Sequence, residues 1–264
     1  MKVAVYTIAL NEAKHVKRWY ESTKEADYHL IADTGSTDDT VKIAKELGII
    51  VYTISVKPFR FDDARNASLA LVPADADYCI AMDMDEIMLP GWRKGLEQAY
   101  KDGTHKPRYR FVTDFNPDKT PKASFLGFRI HTRNNVRWSY RIHEVPQGYD
   151  REGEETSKEY DIESWHLPDG EKSRSNYLPM LELAAKENPD SRNLYYLGCF
   201  QNAGHVVRLG ISFLLPGYLL HRLLMILNLP YYLKNKPLIE GTNRTVCPCN
   251  SWVTNLVTPS VQSI

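Results

Sequence analysis

The first hundred residues alternate between short apolar segments and polar helical segments, and this alternation leaves few folds open to the chain. The first apolar segment, residues 3–10, contains β-branched residues and ends at polar ones, as expected of a buried strand. Strands that alternate with helices predict a parallel sheet with helices on both faces. The predicted strands are residues 3–10, 28–32, 49–55 and 78–82, and the predicted helices are residues 13–24, about 36–47 and 61–71.

Beyond residue 101 the pattern favours antiparallel strands and then helices. The fold expected is therefore α/β, with a mostly parallel central sheet, an antiparallel extension and C-terminal helices. The additional predicted strands are residues 109–115 and 125–132, around a loop at 116–122, and the additional predicted helices are residues 176–186 and 192–202.

The polar segment after the second strand carries signals for the start of a helix. Ser36 and Asp39 stand three residues apart and approximate a capping box, in which each side chain bonds a backbone N–H of the other. Gly48 is expected to end the same helix, because glycine readily takes the left-handed conformation found there.

Acidic and amide side chains follow three of the predicted strands. Asn11, Asp33 and Asp83 each come after an apolar segment, and ligands of parallel sheets lie beyond the carboxyl ends of the strands. Asp83 and Asp85 would share one face of a strand, where both could reach a divalent cation. Such a cation can neutralise the diphosphate of a leaving nucleotide. Alternatively, Asp83 caps the following turn, and Asp85 and Glu86 form a solvated acidic patch.

Four short motifs in order resemble those of the family-2 glycosyltransferases of the GT-A fold, and the resemblance covers about residues 3–170. It implies a nucleotide-binding α/β domain that uses Mn²⁺ or Mg²⁺ and a nucleotide-sugar donor, with inversion at the transferred sugar. The acceptor implied is a glycan, a lipid-linked molecule or a peptide. The motifs are Asn11-Glu12, the D-T-G-S-T-D that begins at Asp33, Arg65-Asn66, and Asp83-Met84-Asp85.

The resemblance also implies roles for residues on the donor side. Asp33 would contact the base or the ribose, and Asn11 and Glu12 would line the same rim. The alternatives are that Asp33 only forms its own turn and that Asn11 only caps the first helix.

The same resemblance places the diphosphate and the metal near the aspartate pair. Arg65 would pair with phosphate or with Asp83, and a purely structural salt bridge is the alternative. Asp85 would be the direct metal ligand. Asp83 would contact the ribose or hold a water molecule that is bound to the metal.

The acceptor side is implied by two later elements. Glu144 ends an R-x-H-E element and would be the base that takes the acceptor's proton. Its alternative role is a salt bridge to Arg137, Arg141 or His143. His166 would reach the metal or the diphosphate, and otherwise it is a packed core residue.

The sequence also bears on three other functions. A haloacid-dehalogenase-like phosphatase also carries D-x-D, but here Ile87 stands where that motif has Thr or Val, and no later G-D-x-x-x-D follows. A sugar nucleotidyltransferase would need a glycine-rich loop after the first strand, and residues 10–13 contain no glycine. The chain could also bind a sugar nucleotide without transferring it.

Composition bears on partners, compartment and domains. The 33 basic and 33 acidic side chains cancel, so no nucleic-acid partner is expected, and four scattered cysteines favour a cytoplasmic enzyme over a disulfide framework. Three regions are predicted, namely a catalytic domain at 1–170, a helical extension at 171–204 resembling the start of a tetratricopeptide-type repeat, and an apolar, basic tail at 205–264. Prolines and arginines interrupt the tail, so it would not span a membrane, but it could lie at the inner membrane face, form a helical hairpin or be disordered.

Overall fold

The structure is a computed structural model that describes residues 1–134, 136–148, 158–168 and 177–208. The chain divides into two compact units, Met1–Asn193 and Leu194–Ile264. Most of the predicted tail at 205–264 lies outside the described residues. The strands are β1 Val3–Ala9, β2 Tyr28–Asp33, β3 Ile50–Thr53, β4 Tyr78–Ala81, β5 Glu86–Met88, β6 Arg108–Phe115, β7 Pro121–Gly127, β8 Ile130–Thr132, β9 Val136–Ser139, β10 Val145–Gly148 and β11 Glu159–His166, and the helices are α1 Ala13–Ser22, α2 Thr40–Glu46, α3 Phe61–Ala70, α4 Trp92–Lys101, α5 Tyr177–Glu187 and α6 Ser191–Arg208.

The central sheet is mostly parallel, as predicted. Its strand order is β3-β2-β1-β4-β8, with the first four strands parallel and β8 antiparallel to β4. Alternate residues of β1 enter different apolar cores, Val3 and Val5 on one face and Ala4 and Tyr6 on the other. A strand covered on both faces cannot alternate polar and apolar residues, which explains its continuous apolar sequence.

The antiparallel extension is a second sheet of order β5-β11-β6-β7, beside a separate β9–β10 hairpin. Strand β11 runs antiparallel to β5 and parallel to β6, and β6 pairs antiparallel with β7. The helices α5 and α6 follow, so the predicted α/β class, with a mostly parallel central sheet, an antiparallel extension and later helices, is confirmed. Among the described residues, no helix combines the length and the hydrophobicity needed to cross a bilayer.

The prediction of one strand at 125–132 is wrong. Strand β7 ends at Gly127, and β8 begins at Ile130 in the other sheet. Gly127 packs against the ring of Tyr109 so closely that an added Cβ would lie 2.4 Å from the ring. The chain therefore changes sheets between Gly127 and Ile130, within a segment whose single glycine has no proline, asparagine or aspartate beside it to signal a turn. The loop predicted at 116–122 is also shorter, because Pro121 already belongs to β7.

The predicted capping box is wrong as well. Helix α2 begins at Thr40, and its N-cap Asp39 makes no side-chain capping bond. Asp38 is used instead, since its carboxylate accepts bonds from Thr40 N (3.0 Å) and from Ala13 N, the first residue of α1 (3.1 Å). The D-D-T segment thus ties the starts of two helices together. Gly48 follows α2 with φ +76°, as predicted for its end.

Candidate functional site

The sequence predicted that Asp83 and Asp85 share one face of a strand, and this prediction is wrong. Both residues lie in a turn between β4 and β5. Strand β4 ends at Ala81, two residues before Asp83. Glu86 closes the turn, because its backbone N–H donates to Asp83 O (3.0 Å) and its Oε2 accepts from Asp83 N (3.1 Å). Glu86 is buried, so it is not part of a solvated acidic patch. The turn lies beyond the carboxyl end of β4, where a ligand of this sheet would sit.

Two arginines hold the Asp83 carboxylate. Arg65 Nη2 donates to Oδ1, and Arg129 Nη1 donates to Oδ2 at 2.6 Å and to Glu86 Oε1 at 3.1 Å. Burial alone would raise the pKa of Asp83, but the charges of Arg129 and Arg65 outweigh it and hold that pKa well below its ordinary value. Asp83 is therefore an ionised, immobilised carboxylate.

Arg65 joins the aspartate turn to the candidate base. This buried side chain of α3 contacts Asp83 with one nitrogen and donates from Nε to Glu144 Oε1 at 3.1 Å. The sequence predicted that Arg65 pairs with phosphate or with Asp83, and the structure shows the pair with Asp83. Glu144 pairs with Arg65 and not with a neighbouring arginine or histidine, as the alternative had proposed. Arg65 Nη1 has no hydrogen-bond partner among the described residues, so the guanidinium keeps one buried donor.

Asp85 and His166 lie close together at the end of the β5–β11 pairing, where Asp85 immediately precedes β5. Nε2 of His166 lies 3.4 Å from Asp85 Oδ2, and Leu167 N donates to Asp85 O at 2.8 Å. The His166 ring also stacks on Phe111, with centroids 6.2 Å apart. Burial would lower the pKa of His166, but the hydrogen bond and charge of Asp85 outweigh it and raise that pKa.

This pair has the ligand chemistry of a divalent cation site. A carboxylate and an imidazole both bind Mn²⁺, and Mg²⁺ in nucleotide sites uses one or two carboxylates together with substrate phosphates. Within the described residues, no group of three or more His, Cys, Asp or Glu could hold a metal by itself. The residues fit a cation that is shared between the protein and a phosphorylated ligand.

Asn11 and Asp33 build the rim at the carboxyl ends of β1 and β2. The Asp33 carboxylate accepts bonds from the backbone N–H groups of Gly35 (3.0 Å) and Ser36 (3.1 Å), so it forms its own turn. Asn11 does not cap α1; its N–H donates to Ser36 Oγ (2.9 Å), and its Oδ1 accepts from Thr37 N (2.8 Å). These bonds fix the rim loops to each other.

Glu12 lies on the same rim. It is the N-cap of α1 without a side-chain capping bond, and its N–H donates to Thr40 Oγ1 at 2.7 Å. The predicted site residues thus fall into two groups, a rim of Asn11, Glu12 and Asp33 and a charged cluster of Arg65, Asp83, Asp85, Glu144 and His166.

Three residues to which the sequence analysis assigned no role in the site support this cluster. Arg129 lies at the break between β7 and β8, which the sequence had hidden inside one predicted strand, and Glu86 closes the aspartate turn. Asn66 follows Arg65 and binds both backbone groups of Trp138, at 2.9 and 2.8 Å, so it fastens β9 to α3. The sequence signal that could have identified Asn66 was its place in the R-N motif.

A buried hydrogen-bonded chain lies behind Arg65. The guanidinium stands 5.4 Å from the ring centre of Trp138, whose Nε1 donates to Tyr6 Oη at 2.8 Å. His131 Nδ1 lies 2.8 Å from Thr132 O and must donate there, so its Nε2 accepts from the Tyr6 hydroxyl at 2.9 Å. Burial lowers the pKa of His131 to about 4, so the neutral ring is favoured.

His131→Gln is expected to weaken the pH dependence of stability between pH 6.5 and 4. In this window the unfolded chain protonates His131 and the folded chain does not, so the contribution of His131 to wild-type stability falls as pH falls, by about 3 kcal/mol over the window. In the variant, the difference in bound protons between the unfolded and the folded chain should be smaller by about one, so the free energy of unfolding should change less steeply with pH. Urea midpoints measured across this range would test it, with exposed His105→Gln as control. Equal slopes in wild type and both variants would contradict the assignment.

Comparison with known families gives one match. Residues 4–150 match the model of the family described as Glycosyl transferase family 2. The match covers more than half of the chain and contains the rim, the aspartate turn and Glu144, whereas His166 lies beyond it.

Two solved structures show the extent of similarity to individual proteins. TarS of S. aureus is 13% identical, with a TM-score of 0.42 over 71% of this chain and 39% of that chain. Glucosyl-3-phosphoglycerate synthase from Mycobacterium tuberculosis, solved with Mn²⁺, uridine diphosphate and glucosyl-3-phosphoglycerate, is 23% identical, with a TM-score of 0.35 over 44% of each chain. This chain therefore spans less than half the length of either protein.

Proposed function

Since the chain belongs to glycosyl transferase family 2, we propose that it moves a sugar from a nucleotide-sugar donor to a glycan, lipid-linked or peptide acceptor, with inversion. One observation carries the proposal. A metal-competent pair, Asp85 and His166, lies beside an ionised Asp83, which a single buried arginine connects to a second carboxylate, Glu144. Transfer of a sugar needs these two functions, one for the leaving diphosphate and one for the acceptor's proton.

On the donor side, the rim would receive the nucleoside. Asn11 and Asp33 are held by the loop's own hydrogen bonds, so the rim would be preorganised before the donor binds. Arg65 Nη1 is a buried hydrogen-bond donor without a partner among the described residues, on the same guanidinium that contacts Asp83, and we assign it to an oxygen of the nucleotide sugar.

The cation would be Mn²⁺ or Mg²⁺, held by Asp85 and His166, with Asp83 close by. When bound, it would supply positive charge to the departing diphosphate. Asp83 keeps Arg65 and Arg129 in place through both oxygens, so its contribution is to orient the turn and the ribose side of the donor.

Glu144 would act as the base. The acceptor oxygen forms a bond to the sugar's anomeric carbon, the bond from that carbon to the diphosphate breaks, and the acceptor's proton passes to the Glu144 carboxylate. Attack from the face opposite the diphosphate inverts the anomeric configuration. Arg65 holds the Glu144 side chain in position for this proton transfer.

The phosphatase alternative is weaker than the transferase. Its mechanism would need the first aspartate as a free nucleophile, whereas both oxygens of Asp83 accept bonds from arginines. Residues 1–170 as the catalytic domain, a cytoplasmic location and a membrane contact through residues 205–264 remain predictions of the sequence.

The test is thermal stability against UDP-, GDP-, CMP- and dTDP-sugars, each with Mn²⁺, with Mg²⁺ and with EDTA. A ligand that binds only the folded chain raises the melting temperature, by an amount that grows with its concentration over its Kd. We expect one nucleotide class to stabilise the chain in a metal-dependent way and to be hydrolysed slowly without acceptor. Stabilisation without any turnover would favour a binding protein, and no shift with any donor would contradict the proposal.

A further inference from the structure

The loop that carries Glu144 is fastened to the helices that follow the catalytic sheet. It comprises residues 140–144, between β9 and β10. We propose that Glu187 of α5 and Arg192 of α6 are positioning residues that hold this loop in a strained conformation and thereby fix the place of the Glu144 carboxylate. This inference rests on the proposed function, since it concerns the base of that reaction.

Glu187 holds the loop through Arg141. Its two oxygens accept from Arg141 Nη2 (2.6 Å) and Nε (3.2 Å), and Oε2 also accepts from Arg60 Nη1 at 3.0 Å. Arg141 is buried and donates its remaining terminal nitrogen to Phe59 O at 3.0 Å. A buried guanidinium in a two-bond pair with a carboxylate has a strongly preferred orientation, so Glu187 fixes the first half of the loop.

Arg192 holds the second half of the loop. Its Nη2 donates to the backbone oxygen of His143 at 2.8 Å, and its guanidinium lies 5.1 Å from the ring centre of Tyr140. One arginine therefore contacts the loop at both ends. The residue after His143 is Glu144, so this contact lies one peptide unit from the candidate base.

The backbone of the loop is strained where these contacts are made. Tyr140 has φ +82° and His143 has φ +55°, in the left-handed region that residues other than glycine rarely occupy. Two such residues within four positions persist only where surrounding contacts impose them. Without Glu187 and Arg192, the loop would keep the bonds of Arg141 with Phe59 O and Phe61 N and the bond of Glu144 with Arg65, and we expect the backbone at Tyr140 and His143 to relax.

The consequence for catalysis would be specific. A general base must lie within hydrogen-bond reach of the proton it takes, and a displacement of about 1 Å by a remote change can cost about a hundred-fold in rate. The donor rim belongs to other loops and would not move. Loss of the fastening should therefore lower kcat and leave donor affinity unchanged.

Glu187→Gln tests the inference, with Glu182→Gln, an exposed residue of the same helix, as the matched control. Hydrolysis of the sugar nucleotide selected by the thermal-shift panel gives kcat, and isothermal titration gives donor Kd. We expect Glu187→Gln to lower kcat about ten- to a hundred-fold with Kd within about two-fold of wild type. Hydrogen exchange of the peptide covering residues 136–148 should become faster in this variant and not in the control.

Arg192→Gln is a second, independent variant and should change kcat and exchange in the same direction. Wild-type kcat and exchange in both variants would overturn the inference. An equal loss of kcat and donor affinity, together with a lower melting temperature, would also overturn it, since it would show general destabilisation. If the wild type hydrolyses no donor, the proposed function fails. Hydrogen exchange of residues 136–148 then decides whether Glu187 and Arg192 hold the loop.

Discussion

Asp85→Ala is expected to lower donor turnover about a thousand-fold and to remove the metal dependence of donor binding. The residue is one of two metal-competent side chains in the pair, and alanine leaves His166 as a single ligand. A cation that polarises a leaving phosphate contributes several kcal/mol to the transition state, which corresponds to about three powers of ten in rate. This is one of the two largest effects we predict.

The fold should survive this change. Alanine loses the contact between Asp85 and His166 of β11 but keeps the backbone bond from Leu167 N, just after β11, to Asp85 O. Melting curves would establish this, and donor titration with Mn²⁺ and with EDTA would measure the loss. Asp161→Ala, an exposed carboxylate on β11, is the matched control. Unchanged, metal-dependent donor affinity in Asp85→Ala would refute the metal assignment.

The sequence predicted the elements that follow from local pattern. Continuous apolar runs separated by helical segments predicted the parallel sheet, and the strand ends identified the edge that carries Asn11, Asp33 and Asp83. These features depend on residues near one another in the chain, or on a rule about parallel sheets that needs no contact information.

The charge pairing could not be predicted in the same way. Arg65 and Glu144 are 79 residues apart, and each has nearer residues of opposite charge that would serve equally in a sequence argument. Arg129 was hidden because residues 125–132, with their aromatic and β-branched side chains and a single glycine, read as one strand, whereas the segment is divided between two sheets where Gly127 packs closely on Tyr109. Both errors have the same cause, since long-range packing decides between locally equivalent options.

The resulting chain of charges runs from Glu144 through Arg65, Asp83 and Arg129 to Glu86. Arg65, Glu86 and Glu144 are buried, whereas Asp83 and Arg129 are partly exposed. Removing Arg65 would leave the buried Glu144 carboxylate without its cation, and breaking a buried pair in this way typically costs about 3–5 kcal/mol. A substitution of Arg65 would therefore confuse stability with function. A useful probe of this site must remove a charge and keep a hydrogen-bond acceptor.

Glu144→Gln meets that requirement, and we expect it to lower turnover about a hundred- to ten-thousand-fold with little change in donor affinity. Glutamine keeps an oxygen for Arg65 Nε, and Arg65 retains its pair with Asp83, so the cluster should stay assembled. Glutamine cannot take the acceptor's proton, so the loss should fall on kcat.

Two measurements separate this role from a structural one. Donor Kd by titration should match wild type, and so should the melting temperature with donor and Mn²⁺ present. Glu159→Gln, an exposed carboxylate on β11, is the matched control and should turn over donor as wild type does. A structural Glu144 would instead lose donor affinity and turnover together, because a displaced Arg65 would disturb Asp83 and with it the turn that holds Asp85. The ratio of the loss in kcat to the loss in donor affinity therefore distinguishes a general base from a structural residue.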